Sequence, residues 1–138
     1  MGNIRKSPGA VYQLAYHLVW CPKYRRPVLT GEVAERCKEL ILDQANQKGW
    51  EVSALEVMPD HVHLLVSAGV KDSPSFIANQ FKGRTSRDLR KEFPHLRSRL
   101  PTLWSRSFFA STVGAVDEET VQAYIDTQYE RPWRKVKS

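Results

Sequence analysis

The 138-residue chain has no apolar run that approaches the length of a bilayer span, which argues against a membrane partner. Residues Met1 to Pro8 lack the apolar stretch of a signal peptide, so a cytoplasmic setting is expected. Cysteine is scarce. Cys21 and Cys37 form neither a metal-ligand spacing nor a redox pair, and two reduced, mostly structural thiols are the expectation in a cytosolic chain. There is no phosphate-cradling glycine loop, so no nucleotide cofactor is expected. Internal repeats and low-complexity tracts are missing too, which leaves one domain over residues 1–138, long enough to bury a single core. Hydrophobic residues at 41% and charged residues at 26% are the balance of a folded globular chain rather than a disordered one.

Positive charge is in excess. Lys plus Arg number 21 against 15 Asp plus Glu, for a net charge of +6. The excess gathers between Lys82 and Arg99, where Lys82, Arg84, Arg87, Arg90, Lys91, Arg97 and Arg99 face only Asp88 and Glu92. Arg131, Arg134, Lys135 and Lys137 form a second cluster. Such patches bind polyanions, phosphate backbones above all, but a solvated helix face explains the same charges equally well.

Residues 10–20 alternate as a strand, with Tyr12, Leu14, Tyr16 and Leu18 on one face. Pro22, Pro27 and Gly31 mark a basic loop. Val33, Cys37, Leu40, Ile41 and Ala45 recur at helical spacing over 32–48, and Gly49 stops that helix. Residues 50–58 and 61–68 read as strands around a Pro59-Asp60 turn. Ser73 caps a helix over 73–93 that begins with Pro74 and is weakened by Gly83. Pro94 and Pro101 bound a loop, residues 103–113 carry a fourth strand signal, and Asp117 caps a last helix ending near Tyr129. The order β-α-β-β-α-β predicts an α+β, ferredoxin-like (RRM-like) antiparallel sheet with two helices on one face. The extra helix then has the open face to lie against.

The sharpest chemical signal is Met58-Pro-Asp-His-Val-His-Leu-Leu65. Alternation along a strand puts His61 and His63 on one face, roughly 7 Å apart. Val62, Leu64 and Val66 face the core. Two imidazoles at that spacing can converge on a cation, although polar residues on a half-exposed strand would look the same. A third ligand is needed. In the last helix Tyr124 and Gln128 are one turn apart and share a face. Periodicity equally allows Tyr124 to be a core aromatic and Gln128 to be solvated. Asp60 is a candidate partner for a ligand histidine, or simply a turn former.

Four segments resemble, in order, the single-tyrosine HUH transposases of the insertion sequence 200/605 family. Tyr16-His-Leu-Val-Trp-Cys-Pro-Lys-Tyr-Arg-Arg26 resembles the opening strand and loop, and Met58 to Leu65 the metal-binding strand. Trp104 with Ser107-Phe108-Phe109 is similar to a late strand, and Tyr124-Ile-Asp-Thr-Gln128 to the nucleophile helix. The resemblance covers nearly the whole chain. It implies that His61, His63 and Gln128 hold Mg²⁺ or Mn²⁺ and that Tyr124 is the nucleophile, while Tyr129 does not match the motif.

The implied activity is that of a metal-dependent single-strand DNA endonuclease and strand-transferase. It would recognise hairpins at element ends and form a 5′-phosphotyrosine through Tyr124. A homodimer is implied, with Tyr124 of one subunit able to complete the metal site of the other. Lys82, Arg84, Arg87 and Arg90 are the expected DNA-phosphate contacts. The rival readings are a catalytically inactive or domesticated hairpin-binding descendant, a replication initiator or relaxase, and an RNA-binding module. The last would use aromatics where this chain puts histidines.

Overall fold

Residues 13–113 and 118–130 are described by the computed structural model. They form β1 (Gln13–Trp20), α1 (Gly31–Lys48), β2 (Glu51–Met58), β3 (His61–Gly69), α2 (Pro74–Glu92), α3 (His95–Arg99), β4 (Phe109–Thr112) and α4 (Glu118–Glu130). A one-turn 3₁₀ segment, Lys23–Arg25, follows β1. All strand neighbours are antiparallel and the order is β2-β3-β1-β4, the ferredoxin-like arrangement expected from the element order. No helix among the described residues is long and apolar enough to cross a membrane.

Local sequence explains where the helices begin and end. Gly49 adopts a left-handed φ of 75° and closes α1, its N–H returning to the carbonyls of Ala45 and Asn46. The Ser73 hydroxyl accepts a hydrogen bond from the Phe76 N–H at 3.0 Å, and Pro74 occupies the first turn of α2. Gly83 lies inside this helix without interrupting it. The expected cap Asp117, the residues before Gln13 and the basic cluster beyond Glu130 lie outside the described residues.

One face of the sheet carries the main core. Tyr16, Leu18 and Trp20 of β1 and Val62, Leu64, Val66 and Ala68 of β3 pack under Val33, Cys37, Leu40 and Ile41 of α1 and Ile77, Phe81 and Leu89 of α2. Trp20 stacks on Phe81 at a centroid distance of 6.2 Å and meets Trp104 edge-on at 6.0 Å. Cys37 lies in this core and Cys21 on the opposite face, both free. Burial pushes each thiol up to about 12, as expected of structural cysteines.

Two expectations change. The stretch between Pro94 and Pro101 is not all loop: α3 forms there because Leu96 and Leu100 are drawn into the core. The fourth strand is shorter than its apolar signal. Leu103 and Trp104 are buried plugs, joined to the segment after β1 through a single Pro22–Trp104 bridge, and regular pairing begins only at Phe109. Between them the carbonyls of Ser105, Arg106 and Ser107 turn to the Lys82 ammonium.

Phe81→Ala removes a fully buried ring that contacts Trp20 and Trp50, and should cost about 3–5 kcal/mol, read from the midpoint of urea unfolding.

Candidate active site

The site is built on the other face of the same strands. His61 and His63 are half-buried there while Val62 and Leu64 between and beside them are fully buried in the core. His63 pairs in register with Val19, and His17 pairs with Leu65, so His17 shares the histidine face. His17 Nδ1 and His63 Nε2 stand 3.2 Å apart, and the His63 Nδ1 lies 3.9 Å from a Glu56 carboxylate oxygen. Burial, reinforced by the neighbouring His17, holds the His63 pKa below its ordinary value against the pull of Glu56. Its ring is therefore predominantly neutral at pH 7, the form that can ligate a cation.

His61 is held from behind. Its Nδ1 lies 2.9 Å from Asp60 Oδ1, and because a carboxylate can only accept, Nδ1 is the donor and in the neutral ring the lone pair is on Nε2. The other Asp60 oxygen accepts from Arg25 Nε at 2.6 Å. Burial acts to raise the Asp60 pKa, but the hydrogen bonds from Arg25 and His61 outweigh it and hold the carboxyl below its ordinary value. Arg25 reaches this place from a strained turn, since Tyr24 and Arg25 both have left-handed backbone, with φ of 60° and 54°. Its Nη1 also donates to the Ile125 carbonyl at 3.4 Å and to Asp126 Oδ1 at 3.1 Å on α4.

Helix α4 is seated on this face by a small second core, with buried Ile125 against Val19 and Cys21, and Val121, Tyr124 and Phe109 around them. Tyr124 and Phe109 rings are 5.9 Å apart. Gln128 is only 4% exposed, and its Oε1 accepts from Ser105 Oγ at 2.9 Å and Ser107 Oγ at 3.0 Å. The Ser107 hydroxyl has one proton. Donating it to Gln128 leaves Ser107 to accept from the Tyr124 phenol, 3.1 Å away. Beneath these serines Lys82 Nζ donates to the carbonyls of Ser105, Arg106 and Ser107 at 2.9, 3.2 and 3.1 Å.

The four residues singled out in the sequence thus fall into two groups within one chain. His61 and His63 sit with His17, Asp60 and Glu56. Tyr124 and Gln128 share a helix face, as their spacing predicts, but sit with Ser105, Ser107 and Phe109. Val19 pairs with His63 on one side and Phe109 on the other, and with Cys21 it packs against Ile125. Among the described residues, no three His, Cys, Asp or Glu side chains converge as a ready cation cage.

Lys82 requires a correction. It is 8% exposed and its ammonium is spent on carbonyl oxygens, so it is not placed to meet a DNA phosphate. Arg84 is tied to Asp43, Asp88 and Gln44, and Arg90 reaches the Pro101 carbonyl, whereas Arg87 is exposed beside Asp88. His17, Arg25, Ser105 and Ser107 carried no assigned role in the sequence, although His17, Arg25 and Ser107 lie within segments that bear the family resemblance. For His17 a signal existed, because strand alternation sets it opposite Tyr16 and Leu18. For the others no local pattern distinguishes them from ordinary loop residues.

Comparison with known proteins gives a consistent result. The family model described as "Transposase IS200 like" matches residues 10–128. The ISDra2 transposase TnpA of Deinococcus radiodurans is 42% identical over 131 residues, 94% of each chain. The transposase for insertion sequence element IS200 of Salmonella typhimurium is 28% identical over 132 residues, covering 94% of this chain and 86% of that protein. A transposase crystal structure from D. radiodurans R1 superimposes with a TM-score of 0.84 at 40% identity, over 91% of this chain and 98% of that one. A REP-associated tyrosine transposase bound to a REP hairpin shares the fold at a TM-score of 0.51 and 18% identity, over 88% and 68% of the two chains.

Lys82→Met should leave the three carbonyls of residues 105–107 without their donor and cost about 1–3 kcal/mol of unfolding free energy in urea. Arg87→Ala, at an exposed site, should change stability by less than about 0.5 kcal/mol.

Proposed function

Because the chain belongs to the IS200-like transposase family and is a DNA transposase, we propose that it cuts and rejoins single-stranded DNA through a covalent Tyr124 intermediate. The observation that carries this reading is the pairing of two half-sites. One is a pair of imidazoles, His63 kept neutral by burial and His61 oriented by Asp60. The other is a phenol and an amide on one helix face.

Tyr124 Oη attacks phosphorus, the bond to the 3′-oxygen breaks, and a 3′-hydroxyl departs. The phenol is held by Ser107 and Phe109, which fixes its direction before any substrate arrives. The reverse attack by another strand's 3′-hydroxyl on the phosphotyrosine rejoins DNA, so no nucleotide cofactor is required.

His61 Nε2 and His63 are the groups that would hold Mg²⁺ or Mn²⁺, and the freed lone pair and neutral ring fit that task. When bound, the cation supplies a Lewis acid for the scissile phosphate. Gln128 would be the third ligand, but in this arrangement its amide oxygen is engaged by Ser105 and Ser107.

We further propose a homodimer in which Tyr124 and Gln128 of one subunit can meet His61 and His63 of the other. The substrate proposed is single-stranded DNA with hairpins at element ends. Arg87, exposed beside a polar groove lined by Gln44, Asn79, Gln80 and Arg84, is the leading phosphate contact on α2.

Oligonucleotides carrying the element's ends, incubated with Mn²⁺ or Mg²⁺, should give a covalent protein–DNA adduct on denaturing gels. Tyr124→Phe, His61→Ala and chelator should each abolish it. Tight hairpin binding without any adduct would instead identify a binding-only descendant. If the site is shared between subunits, mixing inactive Tyr124→Phe with inactive His61→Ala should restore adduct, since a mixed dimer has one intact composite site. No recovery after subunit exchange would place the whole site within one chain.

A further inference from the structure

Arg25 touches both half-sites. Its Nε faces Asp60, whose other oxygen accepts the His61 Nδ1 proton, and its Nη1 faces the Ile125 carbonyl and the Asp126 carboxylate of α4. Ile125 adjoins Tyr124 and forms the apolar seat of that helix. The path from the imidazole to the nucleophile helix therefore runs through one guanidinium and one carboxylate, with no link longer than 3.4 Å.

Three features single this arginine out from an ordinary surface ion pair. Its side chain and that of Asp60 are only 21% and 24% exposed, so each charge depends on the other more than exposed pairs do. Its backbone, with that of Tyr24, is held in the left-handed region that side-chain-bearing residues rarely adopt, a conformation that persists only where surrounding contacts enforce it. Its two links leave from different nitrogens of one rigid plane, a geometry that a lysine cannot reproduce.

We propose that Arg25 is a positioning residue that couples the orientation of His61 to the seating of α4. This rests on the reading of His61 as a cation ligand and Tyr124 as the nucleophile. With α4 seated, Arg25 is fixed from its far side and fixes Asp60 in turn, which keeps the His61 proton on Nδ1 and the lone pair on Nε2. Coupling is reciprocal, so anything that steadies His61 through Asp60 also steadies the helix.

The test uses the full-length, metal-free protein without DNA. In the native chain, ¹⁵N NMR should find His61 protonated on Nδ1. Asp60→Ala should shift that ring toward the other tautomer. It should also speed hydrogen exchange of the α4 amides by about fivefold or more, although the Asp60 carboxylate bonds Arg25 and His61 rather than α4. Arg25→Lys keeps the charge but should give both changes, with Mn²⁺ affinity lowered by about tenfold. Native exchange of α4 in Asp60→Ala, or a native tautomer and native exchange in Arg25→Lys, overturns the coupling. Should either variant lose the folded amide pattern, the other decides by the same criteria. The adduct assay stands apart. An inactive native protein would defeat the proposed function, while the tautomer and exchange readouts would still decide whether Arg25 links strand and helix.

Discussion

Everything in this molecule depends on the two-residue side-chain period of β1 and β3, locked by their pairing. Trp20 lies opposite Val62, Leu18 opposite Leu64 and Tyr16 opposite Val66, which commits one face to the core. The residues between them have no choice. His17, Val19, His61 and His63 must appear on the other face. A slip of one residue would place imidazoles among Phe81 and Ile77 and expose the core strand, so the stability of the fold and the location of its chemistry are enforced by the same register.

On that second face the organising forces are electrostatic as much as apolar. A charge withdrawn from water must be paired or hydrogen-bonded, and this chain meets the requirement twice in ways that serve the site. The Lys82 ammonium gathers three successive carbonyls and so shapes the segment whose hydroxyls hold Tyr124 and Gln128. The Arg25 guanidinium gathers Asp60 and Asp126 and ties a strand end to a helix. Part of the positive excess in the composition is thus internal scaffolding rather than a surface for polyanions.

The side chains on this face are held in two sets of contacts. The phenol and the imidazoles are each prepared by their own neighbours, Ser107 and Phe109 for one, Asp60 and His17 for the other. Arg25 stands between the two, bonded to Asp60 on one side and to Ile125 and Asp126 of α4 on the other.

Much of this could be read from the chain itself. Alternation in 61–66 fixed which side of β3 the histidines occupy, helical phase put Tyr124 and Gln128 on one face, and Gly49 and Ser73 marked helix limits, because each of these rests on local backbone geometry. The shortened β4 and the helix at His95 could not be read, since they follow from what Lys82, Leu96 and Leu100 find across the core. Nor could the role of Lys82, whose charge looks the same in sequence whether it faces solvent or three carbonyls. By itself the sequence determined the periodicities, and with them the element order, the core face and the residue types available for chemistry. Only the tertiary structure decided which of those residues meet, because Arg25 with Asp126, Lys82 with Ser107 and His17 with His63 are joined by packing across tens of residues of chain, and no local pattern encodes that distance.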